Sequence, residues 1–301
     1  NILSRGPSII QKSDSEWRES ELSKALVGNI VAAREYFGHL KFRKEGNADK
    51  SLSQPNVIDW YMQNESDFYI PTIDWSKTGL IEERSQYEIT VKIFYLSNTG
   101  PSYRSKDTVD AIHMVLRMLN VRDIDLVIAS FPKLKLNQHD EKGEHVKGSD
   151  SNMEDDEIKT WIALENLNVE KTVHKLGLED FACDRLARFL TRVNIRPKVN
   201  QIHINNCHDV DPSLLNLAKT EGIELLTHND STNILPCLSL RDLCNGCESD
   251  NILSELNKLV DSIDTELSPL WVTKYTAVVK DRGVIENQGY FAVLANSEEP
   301  R

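Results

Sequence analysis

The sequence predicts an α/β fold that closes as a (β/α)8 barrel, and three observations predict it. From about residue 86 onward, short apolar runs alternate with amphipathic stretches. The runs have the length and β-branched content of strands covered on both faces, as parallel sheets require. Six of them in succession are too many for a small sheet and suit a barrel, with residues 1–85 supplying the first two units.

Taken in order, the elements are as follows. Leu22, Leu26 and Ile30 mark one helix in an otherwise polar and irregular first 85 residues. Glu88–Tyr95 is a β-rich strand, ended by Asn98-Thr99-Gly100-Pro101. A helix follows from about Asp107, with Ile112, Val115, Leu116 and Leu119 on one face. Ile124–Ala129 is a buried strand, a helix lies around Ile158–Val169, and Thr172–Leu176 is the next strand. Leu186, Phe189, Leu190 and Val193 stripe a further helix, with Asp180 as its expected N-cap. Lys198–Ile204 is a strand, and Asp211-Pro212 starts a helix with Pro at its first position, where the missing N–H costs nothing. Gly222–Thr227 is a strand, Leu253, Leu256 and Leu259 mark a helix, and Thr276–Val279 reads as the last barrel strand. The whole chain, residues 1–301, is expected to be one such domain. Within it, Asn137–Glu157 is acidic and nearly devoid of apolar residues, and it is expected to be an exposed loop. Its His139 and His145 suit a solvated loop better than a metal site.

Composition narrows the function classes. The chain has 301 residues, 40% hydrophobic and 27% charged, which is ordinary globular usage. A net charge of −12 with a pI near 5.2 argues against a nucleic-acid partner, which needs clustered Lys and Arg. No run of about 18 apolar residues is present, so no membrane helix is expected. The first residues hold no secretory apolar segment, and because the chain does not begin with Met, residues upstream of Asn1 are compatible with it. Five cysteines without a signal point to free thiols in a reducing compartment. A cytoplasmic location follows, and a nuclear presence is compatible with it.

Ile124-Asp125-Leu126-Val127-Ile128-Ala129-Ser130-Phe131-Pro132 resembles the "IDLxxxHxP" signature of aldo-keto reductases. Val173–Phe181 resembles that family's "vrxiGvSNF" strand, Pro197–Gln201 its "PxvNQ", and Gly222-Ile223 the start of "GIxvxaYsPL". Four motifs in the same order imply the aldo-keto reductase type of barrel.

The resemblance also implies what the site lacks. Reduction of a carbonyl in that family uses a Tyr proton donor beside a Lys, a carbonyl-orienting His, and an Asp paired with the Lys. Lys92 stands at the position of the catalytic lysine, but Ser130 replaces the His. The segment carrying Asp and Tyr has no match; Asp59-Trp60-Tyr61 and Asp74-Trp75 lack the spacing. Glu179-Asp180 fall where a Ser-Asn pair holds the nicotinamide amide, Gln201 is retained, and His228 stands where a Tyr stacks on the nicotinamide. Lys280 to Asn287 is only loosely similar to the phosphate-binding segment. No cofactor is expected, nor any metal. Gln201 and His228 are the residual pocket candidates, and Lys92 is expected to be a relic that pairs with a carboxylate.

A narrower resemblance lies within the same superfamily. Gly222–Asp230 (GIELLTHND), Pro269-Leu270-Trp271 through Tyr275, Val278-Val279-Lys280 with Arg282-Gly283, and Gly289-Tyr290 are similar to glutamate–cysteine ligase regulatory subunits. So are Val199–Ile202 with Asn206-Cys207, and Lys92–Tyr95 (KIFY). This resemblance implies a catalytically silent chain that forms a heterodimer with the ligase's catalytic subunit. There it would improve use of glutamate and ATP and relieve feedback inhibition by glutathione. The alternative reading is an NADP-dependent reductase with atypical catalytic residues; a third is a reductase-like barrel serving another partner. Cys207 is a candidate contact with the catalytic subunit, set against a plain buried thiol. Cys244-Asn245-Gly246-Cys247 has redox or zinc spacing, with Cys237 near but no second pair. Trp271 and Tyr275 would lie one turn apart on a helix and are expected to be core anchors.

Overall fold

The computed structural model describes residues 78–96, 101–132, 148–203, 210–231 and 267–296, together with 2–4, 22, 25, 62–64, 67–69, 234 and 235. The chain divides into two compact units. One comprises Asn1–Thr78, Ser231–Lys274 and Asn287–Arg301; the other comprises Gly79–Asp230 and Tyr275–Glu286.

The first of these holds three short strands, β1 (Ile2–Ser4), β2 (Met62–Asn64) and β3 (Asp67–Tyr69). β2 and β3 pair antiparallel, and β1 runs parallel to β3. Leu22 and Ala25 are helical and Leu22 is buried; Leu26 and Ile30 of that expected helix lie outside the described residues.

The second unit carries the alternation that the sequence predicts. Its parallel strands are β4 (Tyr87–Tyr95), β5 (Ile124–Ser130), β6 (Val173–Glu179), β7 (Val199–His203) and β8 (Glu224–His228), and each pairs with the next. The helices between them are α1 (Pro101–Leu119), α2 (Gly148–Val169), α3 (Cys183–Leu190) and α4 (Pro212–Glu221). One row of the sheet runs from Lys92 to Ile128, Gly177 and Val199. Gly177 sits in a tight space there: a Cβ would meet Ile128 Cγ1 at 3.1 Å and Val199 Cβ at 3.2 Å. Ile128, Leu126 and Val199 fill the core on that face, with Leu226 packed beside them. α4 is delimited as its sequence dictates. Asp211 accepts from Ser213 N at 2.9 Å, Pro212 opens the helix, and Gly222 closes it at φ 65°.

Four expectations need correction. Residues 148–157 of the stretch 137–157 are helical, forming the first turns of α2, while 137–147 lie outside the described residues. The acidic side chains have partners on α3 and in the turn after it: Arg188 meets Glu154 at 2.7 Å, Arg192 pairs with Asp155, and Arg185 pairs with Glu157, which is only 2% exposed. Burial pushes the Glu157 carboxyl above its ordinary value, and the Arg185 charge opposes that rise. Asp180 does not cap α3; Ala182 precedes that helix, and Asp180 sits in the left-handed region at φ 52°.

Thr276–Val279 is not a separate βα strand but the end of β9 (Leu267–Val279). β9 neighbours β10 (Val284–Asn296) across the turn Lys280–Gly283, a hairpin, and Gly283 N donates to Val279 O at 2.8 Å. In the unit of residues 79–230, β9 lies beside β4, and Lys280 N donates to Gln86 O at 2.8 Å. In the other unit, β10 pairs antiparallel with β1, Ile2 opposite Val293. Trp271 and Tyr275 lie on β9 rather than on a helix, and both are buried as core residues. The expected helix at 253–259 lies outside the described residues. Among those described, no helix is long and apolar enough to cross a membrane.

Candidate functional site

The candidate site sits at the carboxyl ends of the parallel strands of the second unit. Lys92 points from β4, Glu179 ends β6, Gln201 lies on β7, His228 ends β8, and Asp230 follows two residues later. β-pairing places Glu179 opposite Gln201, and His203 opposite His228. The strands thus converge groups that are far apart in sequence.

Lys92 is 5% exposed, and its ammonium has three close acceptors. Asp230 Oδ2 lies at 2.7 Å, Glu179 Oε1 at 2.9 Å and Gln201 Oε1 at 3.0 Å. Two N–H groups donate, to Asp230 and Gln201, while the Glu179 carboxylate contributes its charge. The Phe94 ring lies 5.1 Å from the same nitrogen. An ammonium held this way is fixed in place between two carboxylates and an amide oxygen.

His228 is the second hub. Its Nδ1 lies 3.3 Å from the Asp230 N–H and accepts from it, so the proton belongs on Nε2. Nε2 faces Glu179 Oε1 at 3.2 Å and Asp180 Oδ1 at 3.3 Å. Asp180 also accepts from His203 N at 2.9 Å, and its own N–H donates to Gln201 O at 2.7 Å. The His203 and His228 rings meet edge to face, with centroids 5.2 Å apart. Asn200, fully buried, binds Phe181 through both its side-chain oxygen and nitrogen.

The structure thus brings together Lys92, Gln201 and His228, along with Glu179 and Asp180. Ser130 ends β5 opposite Phe94, half-buried, in the place of the expected His. Asp230 and His203 belong to the cluster and were not singled out from sequence. Asp230 is the last residue of the Gly222–Asp230 motif, so a signal was there to be read. Cys207, Cys237, Cys244, Cys247, His139, His145, Asp59-Trp60-Tyr61 and Asp74-Trp75 lie outside the described residues.

The positions that would grip a nicotinamide do not suit it. A carboxamide needs a donor for its oxygen as well as an acceptor for its nitrogen, and carboxylates only accept. Glu179 and Asp180 are moreover engaged with Lys92, His228 and the His203 N–H. The Gln201 side-chain oxygen is taken by Lys92.

The model of the aldo/keto reductase family matches residues 76–229, just over half of the chain, and the chain belongs to that family. Its fold class is that family's α/β barrel, and the matched stretch contains β4 to β8. Among individual proteins, the glutamate–cysteine ligase regulatory subunit of Homo sapiens is 28% identical over 212 residues, 69% of this chain and 66% of that protein. The chain thus spans just under two thirds of the length of that relative. An NADPH-dependent D-xylose reductase of Candida boidinii is 30% identical over 164 residues, 51% of this chain and 47% of that protein. A Bombyx mori aldo-keto reductase in complex with NADP superposes with a TM-score of 0.34 at 20% identity, over 46% of this chain and 40% of that one.

Proposed function

We propose that this chain is a non-catalytic regulatory subunit of glutamate–cysteine ligase. In this reading it binds the catalytic subunit as a heterodimer, improves that subunit's use of glutamate and ATP, and relieves inhibition by glutathione. The observation that carries the silent half is the state of Lys92, which donates to Asp230 and Gln201 and lies at ion-pair distance from Glu179. A lysine so occupied neither lowers the pKa of a proton donor nor meets a carbonyl, and Ser130 stands where the orienting His would be. The likeness to ligase regulatory subunits supports the regulatory half. Regulation of this kind is a coupling free energy between an interface and a remote site, about 1–3 kcal/mol or roughly 5–150-fold in affinity.

The test is direct. The tagged chain is added to purified ligase catalytic subunit, and the KM for glutamate and the inhibition constant of glutathione are measured with and without it. A lower KM and weaker inhibition support the reading; identical constants and no co-purification refute it.

A second reading, an NADP-dependent reductase with atypical catalytic residues, is favoured by the family membership, the likeness to the xylose reductase and the retained Lys92. It requires NADPH to bind, so a fluorescence titration separates the two.

A further inference from the structure

The contacts of His228 are unusual for hydrogen bonds. A charge-assisted N–H···O bond to a carboxylate closes to about 2.7–2.9 Å. His228 Nε2 stands instead 3.2 Å from Glu179 Oε1 and 3.3 Å from Asp180 Oδ1. Ligand atoms held at about 2.0–2.1 Å around a tetrahedral zinc stand about 3.3 Å apart, which matches the spacing found.

Two further observations bear on the same place. Glu179, Asp180 and His228 each bring one ligand atom within 4.8 Å of the other two. The second oxygen of Glu179, a side chain 8% exposed, is buried with no hydrogen-bond partner, a condition that a cation relieves.

We propose that Glu179, Asp180 and His228 form a binding site for a divalent first-row transition ion of the zinc type, with water completing the coordination. One imidazole and two carboxylates suit zinc, cobalt or manganese better than magnesium, which prefers oxygen alone. Binding through Nε2 requires that nitrogen to shed its proton. A proton moved through solvent from Nε2 to Nδ1 breaks the 3.3 Å bond from the Asp230 N–H, and the ring N–H then turns to Asp230 Oδ2, now 3.6 Å away. The imidazole stays neutral and no proton is lost overall. Lys92, hydrogen-bonded to Asp230 and ion-paired with Glu179, holds these two carboxylates in place. The proposal does not depend on the regulatory reading, since the site is internal to this chain.

The experiment titrates the full chain with Co²⁺ and Zn²⁺, with Mg²⁺ as control, by calorimetry and by the visible absorption of Co²⁺. The five cysteines offer rival thiolate sites, Cys244 and Cys247 above all. The expected result is one ion per chain, with a cobalt spectrum lacking the near-ultraviolet band of a thiolate ligand. Affinity should fall at least about a hundredfold in His228→Gln and in Glu179→Gln, and stay unchanged in the Cys244→Ser/Cys247→Ser double variant. A thiolate band, loss of binding in the cysteine variant, or Co²⁺ and Zn²⁺ binding no tighter than Mg²⁺ would overturn the proposal. Should Glu179→Gln fail to fold, the spectrum of the unmodified chain and the cysteine variant decide the matter.

Discussion

Lys92 and Asp230, 138 residues apart in sequence, meet at 2.7 Å in the buried mouth of the parallel strands. Their side chains are 6% and 12% exposed, so water screens the pair little. Glu179, 8% exposed, leans on the same ammonium. Removing one partner of such a group strands the others: Lys92→Met leaves two carboxylates facing each other without their shared cation. Loss of about 3–5 kcal/mol of folding stability is expected, measured as a lowered urea midpoint. A midpoint equal to that of the unmodified chain would show that Lys92 holds nothing in place.

Gly177 fits a narrow space between two strands. Its Cβ would press on Ile128 Cγ1 and Val199 Cβ at 3.1 and 3.2 Å, and both neighbours are themselves buried in the sheet. Gly177→Ala is therefore expected to destabilise by about 1–3 kcal/mol, against the usual direction for Gly→Ala. Thermal unfolding of the variant checks it.

Glu157 gives a pH signature. Its carboxyl is raised above the ordinary 4.5, chiefly by desolvation, so the folded state holds its proton more tightly than the unfolded chain. The sign follows: its contribution is most favourable below 4.5 and is lost as pH rises through the raised folded value. Urea midpoints measured from about pH 4 to about pH 7 should show this slope in the unmodified chain and lose it in Glu157→Gln.

The cap of α4 is a local device, with Asp211 accepting from Ser213 N at 2.9 Å. Asp211→Ala should cost about 1 kcal/mol, and Asp211→Asn much less, because Asn caps nearly as well. Equal losses in the two variants would mean that the cap contributes little.

Much of the fold was legible because each signal was local. Strands β4 to β8 declared themselves as short apolar or β-branched runs, most plainly β5, which is buried along nearly its whole length. Asp211-Pro212 and Gly222 bounded α4 for the same reason. The failures were of another kind. Glu154, Asp155 and Glu157 looked like a solvated loop because the arginines that pair with them lie 28 to 37 residues further on. The hairpin was missed although Asp281-Arg282-Gly283, with Gly283 at φ 61°, is a turn signal between two β-rich runs. The candidate site was half legible. Lys92, Gln201 and His228 were found one by one through likeness to a family, but their contacts span 109 and 138 residues and no spacing rule joins them.

The position of β9 beside β4 bears on the order in which a growing chain assembles. β5 to β8 each add to a strand already made, so that part of the sheet extends in the direction of synthesis. The other flank of β4 has its neighbour only when Tyr275–Val279 emerges, some 180 residues later. Until then an apolar strand with unpaired backbone groups is open to foreign strands. A nascent chain halted before the hairpin is thus the form most in need of a chaperone.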